Sequence, residues 1–148
     1  MANSYRDLVG WQRAVDLSVE IYRFTSDFPR EEIYGITAQM RRSAVSIASN
    51  IAEGYGRNSR NEYRHFLGVA RGSILELQTR LAIARKLGFG KPELLEKTEN
   101  LSEETGKIIW AIIKKLDCGS PRPQPSTEPR APSPEPRAPS PEPRAPEP

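Results

Sequence analysis

Twelve of the fourteen prolines in this chain lie after Gly119; only Pro29 and Pro92 precede it. Proline lacks a backbone donor and breaks a helix from within. The first stretch, about 117 residues, is therefore free to build long helices and can bury about two-thirds of its unfolded surface. Beyond it, residues 128–148 repeat EPRAPSP, EPRAPSP, EPRAPEP. Proline at that density forbids helix and sheet and leaves an extended, polyproline-like segment. The expected organisation is a folded domain over residues 1–118 and a disordered Pro/Arg/Glu/Ser tail over 119–148. Pro-Arg-Ala-Pro, present three times, is a ligand type for proline-reading domains; a plain solvated tail is the leading reading.

Apolar spacing predicts four helices. The first covers residues 7–28, and its apolar residues, Trp11 among them, span about 220° of the helix where one core needs little more than ~100°. This helix has apolar surface to spare. Phe28-Pro29-Arg30 breaks it. The second covers residues 35–55 with a seam of Ile36, Met40, Ala44, Ile47 and Ile51, and Gly54 and Gly56 are expected to end it in a left-handed cap. The third covers residues 60–87, about 42 Å at 1.5 Å per residue, opened by a Ser59/Glu62 capping box and closed by Gly88. Pro92 starts the fourth, carried by Leu94, Leu101, Ile108, Ile109, Ile112 and Leu116 to residue 117. Short links between long amphipathic helices make the fold class all-α, an antiparallel up-down four-helix bundle with a disordered proline-rich C-terminal tail.

The second helix spends many positions on poor helix formers. Gln39, Arg42, Ser43, Ser46, Asn50, Glu53, Gly54 and Arg57 share one arc at the margin of its seam. Small polar groups there can bond a neighbouring helix and fix its register. Gly68 and Gly72 sit at i and i+4 on the third helix, opposite its seam. Each glycine costs ~1 kcal/mol of helix stability against alanine, so the spacing suggests that another backbone, a neighbouring subunit's, comes close there. Ser46, Asn50, Glu53, Gly54, Gly68, Gly72 and Trp11 are thus the candidates for helix register and oligomer contact.

The net charge is +3, but from Arg41 to Arg85 eight arginines stand against Glu53, Glu62 and Glu76. A basic middle segment suits an anionic partner; a solvated basic face is the competing reading. Arg60, Arg64, Arg71 and Arg85 fall on one side of the third helix, and Arg41, Arg42 and Arg57 extend that ridge. Arginine forks suit phosphate oxygens. No aromatic residue interleaves the ridge in sequence, so recognition through nucleic-acid backbone and shape is expected rather than base stacking. Glu53 and Arg57, at i and i+4, are an expected ion pair.

Other chemistry is disfavoured. Glu62-x-x-His65 has half the spacing of a di-iron site, but the chain has a single histidine, and a complete site needs two such pairs. No local signature supports a nucleophile. No catalytic residue, cofactor or metal is expected, and no small-molecule substrate. One cysteine, Cys118, excludes an intrachain disulfide, and no apolar run approaches the ~20 residues of a membrane span. A cytoplasmic chain with no membrane partner is expected.

Asp7-Leu8 with Trp11-Gln12-x-Ala14, Phe28-Pro29, Tyr34-Gly35, Gln39-x-Arg41-Arg42, Ser46-Ile47-x-x-Asn50-Ile51-Ala52-Glu53-Gly54 and Ala70-Arg71-Gly72-Ser73-x-x-Glu76-Leu77 resemble the bacterial four-helix bundle proteins named as 23S rRNA intervening-sequence proteins. The resemblance covers residues 7–116. It implies a small helical protomer, without catalysis, assembling as a homo-oligomer, often a ring of about five. A related branch serves diversity-generating retroelements as a basic accessory ring for reverse transcriptase and its RNA. The function expected is a homo-oligomeric bundle binding structured RNA or a ribonucleoprotein through the arginine ridge. The alternative is a protein–protein scaffold with no nucleic-acid role.

Overall fold

The computed structural model describes residues 2–119; all of the tail expected over residues 119–148 except Gly119 lies outside them. Four helices follow in order, α1 (Val9–Thr25), α2 (Ile36–Tyr55), α3 (Arg60–Leu87) and α4 (Pro92–Asp117), and no strand occurs among the described residues. Each helix packs on two others: α1 on α2 and α4, and α3 on α2 and α4. The diagonal pairs, α1 with α3 and α2 with α4, face each other only across the core. Contacts between opposite ends set all neighbours antiparallel: Thr25 meets Arg41, Ser43 meets Arg80, Arg64 meets Asp117, and Glu20 meets Lys97.

The core is one cluster running from Ala14, Leu17, Ile21 and Phe24 through Met40, Ala44, Ile47 and Ile51 to Leu67, Ile74, Leu77 and Leu81. Of the seam expected for α2, Met40, Ala44, Ile47 and Ile51 are buried and Ile36 is half-buried, and α3 buries Leu67, Ala70, Ile74, Leu77, Leu81 and Ala84. In α4 the innermost line differs from expectation. Leu95, Thr98, Ser102, Thr105, Ile109 and Ile113 are buried, while Leu94, Leu101, Ile112 and Leu116 flank the core half-covered. The three hydroxyls are satisfied within their own helix: Thr98 donates to Leu95 O (2.8 Å), Ser102 to Glu99 O (2.8 Å) and Thr105 to Leu101 O (2.7 Å). A buried hydroxyl with a partner carries little desolvation penalty.

Helix boundaries differ from expectation at both ends of α1, and α2 ends where expected but with a different cap. Residues 5–7 form a separate 3-10 turn capped by Ser4, whose Asp7 carboxylate accepts from Asn3 N and Ser4 N at 3.1 Å each; Leu8 is extended before α1 begins. At the other end, Phe28 N bonds Thr25 O (3.1 Å) in a turn, and Pro29 disfavours a helical residue before it. Phe28 nevertheless stays in the core, edge-on to Phe24 at 5.0 Å. Gly56 ends α2 with φ −75°, not the left-handed cap expected of it. The left-handed cap is at Gly88, φ 71°, as read from the sequence. Gly90, also at positive φ, abuts Phe24 so closely that a Cβ would enter the ring.

Candidate functional site

The ridge of α3 faces α4, and each arginine on it has found a local use. The Arg60 guanidinium donates to Lys115 O (3.0 Å) and Leu116 O (2.6 Å), carbonyls that the end of α4 leaves without helical partners. Arg64 forks onto Asp117, 2.8 Å from Nε to Oδ1. Arg71 lies over the Trp110 ring at 4.3 Å. Arg85 donates from Nε to Glu99 Oε1 (3.1 Å), a bond that, with the nearby carboxylate charge, raises its pKa. The ridge is therefore a row of clips joining α3 to α4. Exposed pairs of this kind contribute only about 0–1 kcal/mol each, so a phosphate can compete for them.

On α2 the picture divides. Arg57 pairs with Glu53 at 2.9 Å, as the i, i+4 spacing implies, and lies over Phe66 at 5.0 Å. Arg41 donates from Nε to Thr25 Oγ1 (2.9 Å) and covers Tyr22 at 4.6 Å. Arg42 is exposed and makes no ion pair among the described residues. Arg41 and Arg42 edge a surface groove with Tyr22, Ile33, Ala38 and Val45. Arg80, outside the ridge read from sequence, bonds the Ser43 hydroxyl and pairs with Glu76 at 3.3 Å. Three arginines thus stack on aromatic rings that sequence order hides, because Tyr22, Phe66 and Trp110 come from other positions of the fold.

Part of the polar arc of α2 meets α3. Asn50 Nδ2 donates to Ser46 O (2.8 Å) and Ser46 Oγ (3.0 Å), and Ser46 Oγ meets Ser73 Oγ of α3 at 3.0 Å. One turn on, a Cβ at Gly54 would lie 2.6 Å from Phe66 Cβ and 3.2 Å from Tyr63 Cδ2. Backbone approaches backbone there, which only glycine permits. Gly68 and Gly72 behave differently. A Cβ at Gly68 would meet only the mobile end of Arg64, and one at Gly72 would meet nothing. They lie on the outer face of α3 with exposed Val69 and Ile83. The surplus apolar surface of α1 is also on the outside, at Val9, Val19 and Tyr22, whereas Trp11 tucks against the core, edge-on to Tyr5 at 5.2 Å.

Glu62 and His65 are both exposed. Glu62 serves its own helix start: its N–H donates to Ser59 Oγ (3.1 Å) and its carboxylate accepts from the same hydroxyl (3.0 Å). No cluster of three or more His, Cys, Asp or Glu that could hold a metal occurs among the described residues. None of the described helices is long and apolar enough to cross a membrane.

A single antiparallel four-helix bundle, its α3–α4 seam clipped by arginines, defines the class. Residues 6–111 match the 23S rRNA-intervening sequence protein family, and the chain belongs to it. It is similar in structure to a protein of unknown function from the S23 ribosomal protein family of Bacteroides thetaiotaomicron. That protein is 26% identical with a TM-score of 0.65, over 72% of this chain and 99% of that one. No curated protein matches.

Proposed function

We propose that the chain is a non-enzymatic cytoplasmic bundle that associates with copies of itself and offers arginines to the phosphates of a structured RNA or ribonucleoprotein. The observation that carries this reading is the α1–α2 groove. Arg41 and Arg42 stand there side by side, without a carboxylate partner among the described residues, next to exposed Tyr22, Ile33 and Val45. Guanidinium groups without a carboxylate release counterions from a phosphate chain without first giving up an ion pair. Arg57, Arg60, Arg64, Arg71 and Arg85 add to the field and exchange weak surface contacts for phosphate.

Self-association is supported by two apolar faces with no use inside the protomer: Val9 and Val19 on α1, and Val69 and Ile83 with Gly68 and Gly72 on α3. Because α1 and α3 are diagonal, the faces point away from each other. One copy's α1 can then meet the next copy's α3, a head-to-tail contact that closes into a ring when its rotation allows. A ring of about five fits the family.

The test is size exclusion with light scattering at low and high salt, recording the 260/280 nm absorbance ratio. An oligomer that sheds RNA in high salt is expected. Replacing Arg41 and Arg42 with glutamine should flatten the log–log salt dependence of affinity by about one unit per lost contact while leaving helicity intact. An unchanged slope overturns the assignment. The scaffold reading has its own support in the pairs Arg57–Glu53, Arg64–Asp117 and Arg85–Glu99, which spend basic charge within the chain. A clean oligomer without RNA selects it.

A further inference from the structure

A shallow groove between α3 and α4 is lined by Leu75, Gly106 and Trp110 and edged by Arg71, Glu103 and Lys107. Trp110 is 39% exposed and Leu75 51%. Gly106 has no side chain to close the gap. Neither Arg71, Glu103 nor Lys107 belongs to an ion pair among the described residues. The groove is thus an aromatic and aliphatic surface whose Trp110 ring is overlain by Arg71 at 4.3 Å, edged by charge of both signs outside any ion pair.

The chain leaves the bundle beside it. α4 ends at Asp117, and the Arg60 guanidinium of α3 lies directly against Gly119, so the described residues end on the α3 side of α4. Along the helix, Trp110 is about 14 Å back from Gly119 and Glu103 about 24 Å. Ten residues of polyproline helix span about 31 Å. The first Pro-Arg-Ala-Pro, at residues 129–132, reaches the groove, and the two later copies reach it with slack.

Proline-rich segments dock on aromatic-lined grooves because their extended helix is preformed and loses little entropy. Each repeat also carries Glu-Pro-Arg: prolines for the Trp110–Leu75 surface, an arginine for the Glu103 carboxylate, a glutamate for Arg71 and Lys107. We propose that the α3–α4 groove is the docking site of the chain's own Pro-Arg-Ala-Pro repeats, so that the tail folds back on the bundle. A tether long enough to span the sites holds a ligand at a high effective concentration. Weak contact per repeat then suffices, and three repeats share one site. This rests on neither RNA binding nor ring formation.

Full-length protein labelled with 5-fluorotryptophan tests it. The chain has two tryptophans, and Trp110→Phe assigns their fluorine resonances. Replacing Arg130, Arg137 and Arg144 together with glutamate leaves every residue of the bundle unchanged, so its folding is not at stake. The Trp110 resonance should move while that of Trp11 stays. Glu103→Lys should move it likewise, and combining it with the three tail replacements should return it toward its original position. Identical Trp110 resonances in the native and tail-substituted chains overturn the proposal. So does a Trp110 shift that depends on protein concentration, because a second copy rather than the chain's own tail then fills the groove.

Discussion

Gly54 and Gly72 occupy the same bundle, yet alanine should act on them in opposite directions. At Gly54 the new methyl group meets Phe66 Cβ at 2.6 Å, and overpacking of this kind costs about 1–3 kcal/mol, readable as a lower urea midpoint. At Gly72 it enters open space. Gly72→Ala should raise helix stability by up to ~1 kcal/mol in unfolding experiments and, on the proposed association, weaken it in light scattering. Glu20 supplies a pH handle. It is 5% exposed. Burial pushes its carboxyl up, but hydrogen bonds and charge from Lys97 (3.0 Å) and Arg23 (2.6 Å) outweigh that and hold it below its ordinary value of 4.5. A depressed carboxyl stabilises the fold above that ordinary value, and the contribution is lost as pH falls through the folded one. Thermal midpoints should therefore decline with acidification below pH 4.5, and Glu20→Gln should flatten that limb.

Among the elements, α3 and the start of α4 were the most legible in sequence, since Ser59, Gly88 and Pro92 punctuate them by mechanisms that act within one turn. Ser59→Ala should cost about 1 kcal/mol through the lost cap, measured by denaturant unfolding. The start of α1 was not legible, because Ser4 and Asp7 close a local turn that competes with helix extension. The inner line of α4 was hidden for a different reason. Thr98, Ser102 and Thr105 count as polar in any apolar pattern, and only their bonds to the helix's own carbonyls make them core residues. The arc of Ser46, Asn50 and Gly54 could be read from the sequence, and two of its members, Ser46 and Gly54, lie against α3. The partners of Arg60, Arg64, Arg71 and Arg85 could not, since they lie on α4, far along the chain, and only the antiparallel return brings them close.

At the scale of the whole molecule the four interhelical seams are unlike in chemistry. The α2–α3 seam is close-packed around Gly54 and locked by Ser46–Ser73. The α3–α4 seam places guanidinium contacts at its rim and leaves Trp110 partly uncovered, and the inner line of α4 gives three positions to hydroxyls. Opening free energies vary within one fold according to such differences. Native-state hydrogen exchange should accordingly find amides of α4 opening before those of α2. Charge contacts at a rim also answer to the medium, since the screening length shrinks from about 10 Å at 0.1 M salt to about 3 Å at 1 M. The ion-paired clips, Arg64–Asp117 and Arg85–Glu99, consequently make α4 a latch with an adjustable grip, one that the ions around the protein loosen without any ligand.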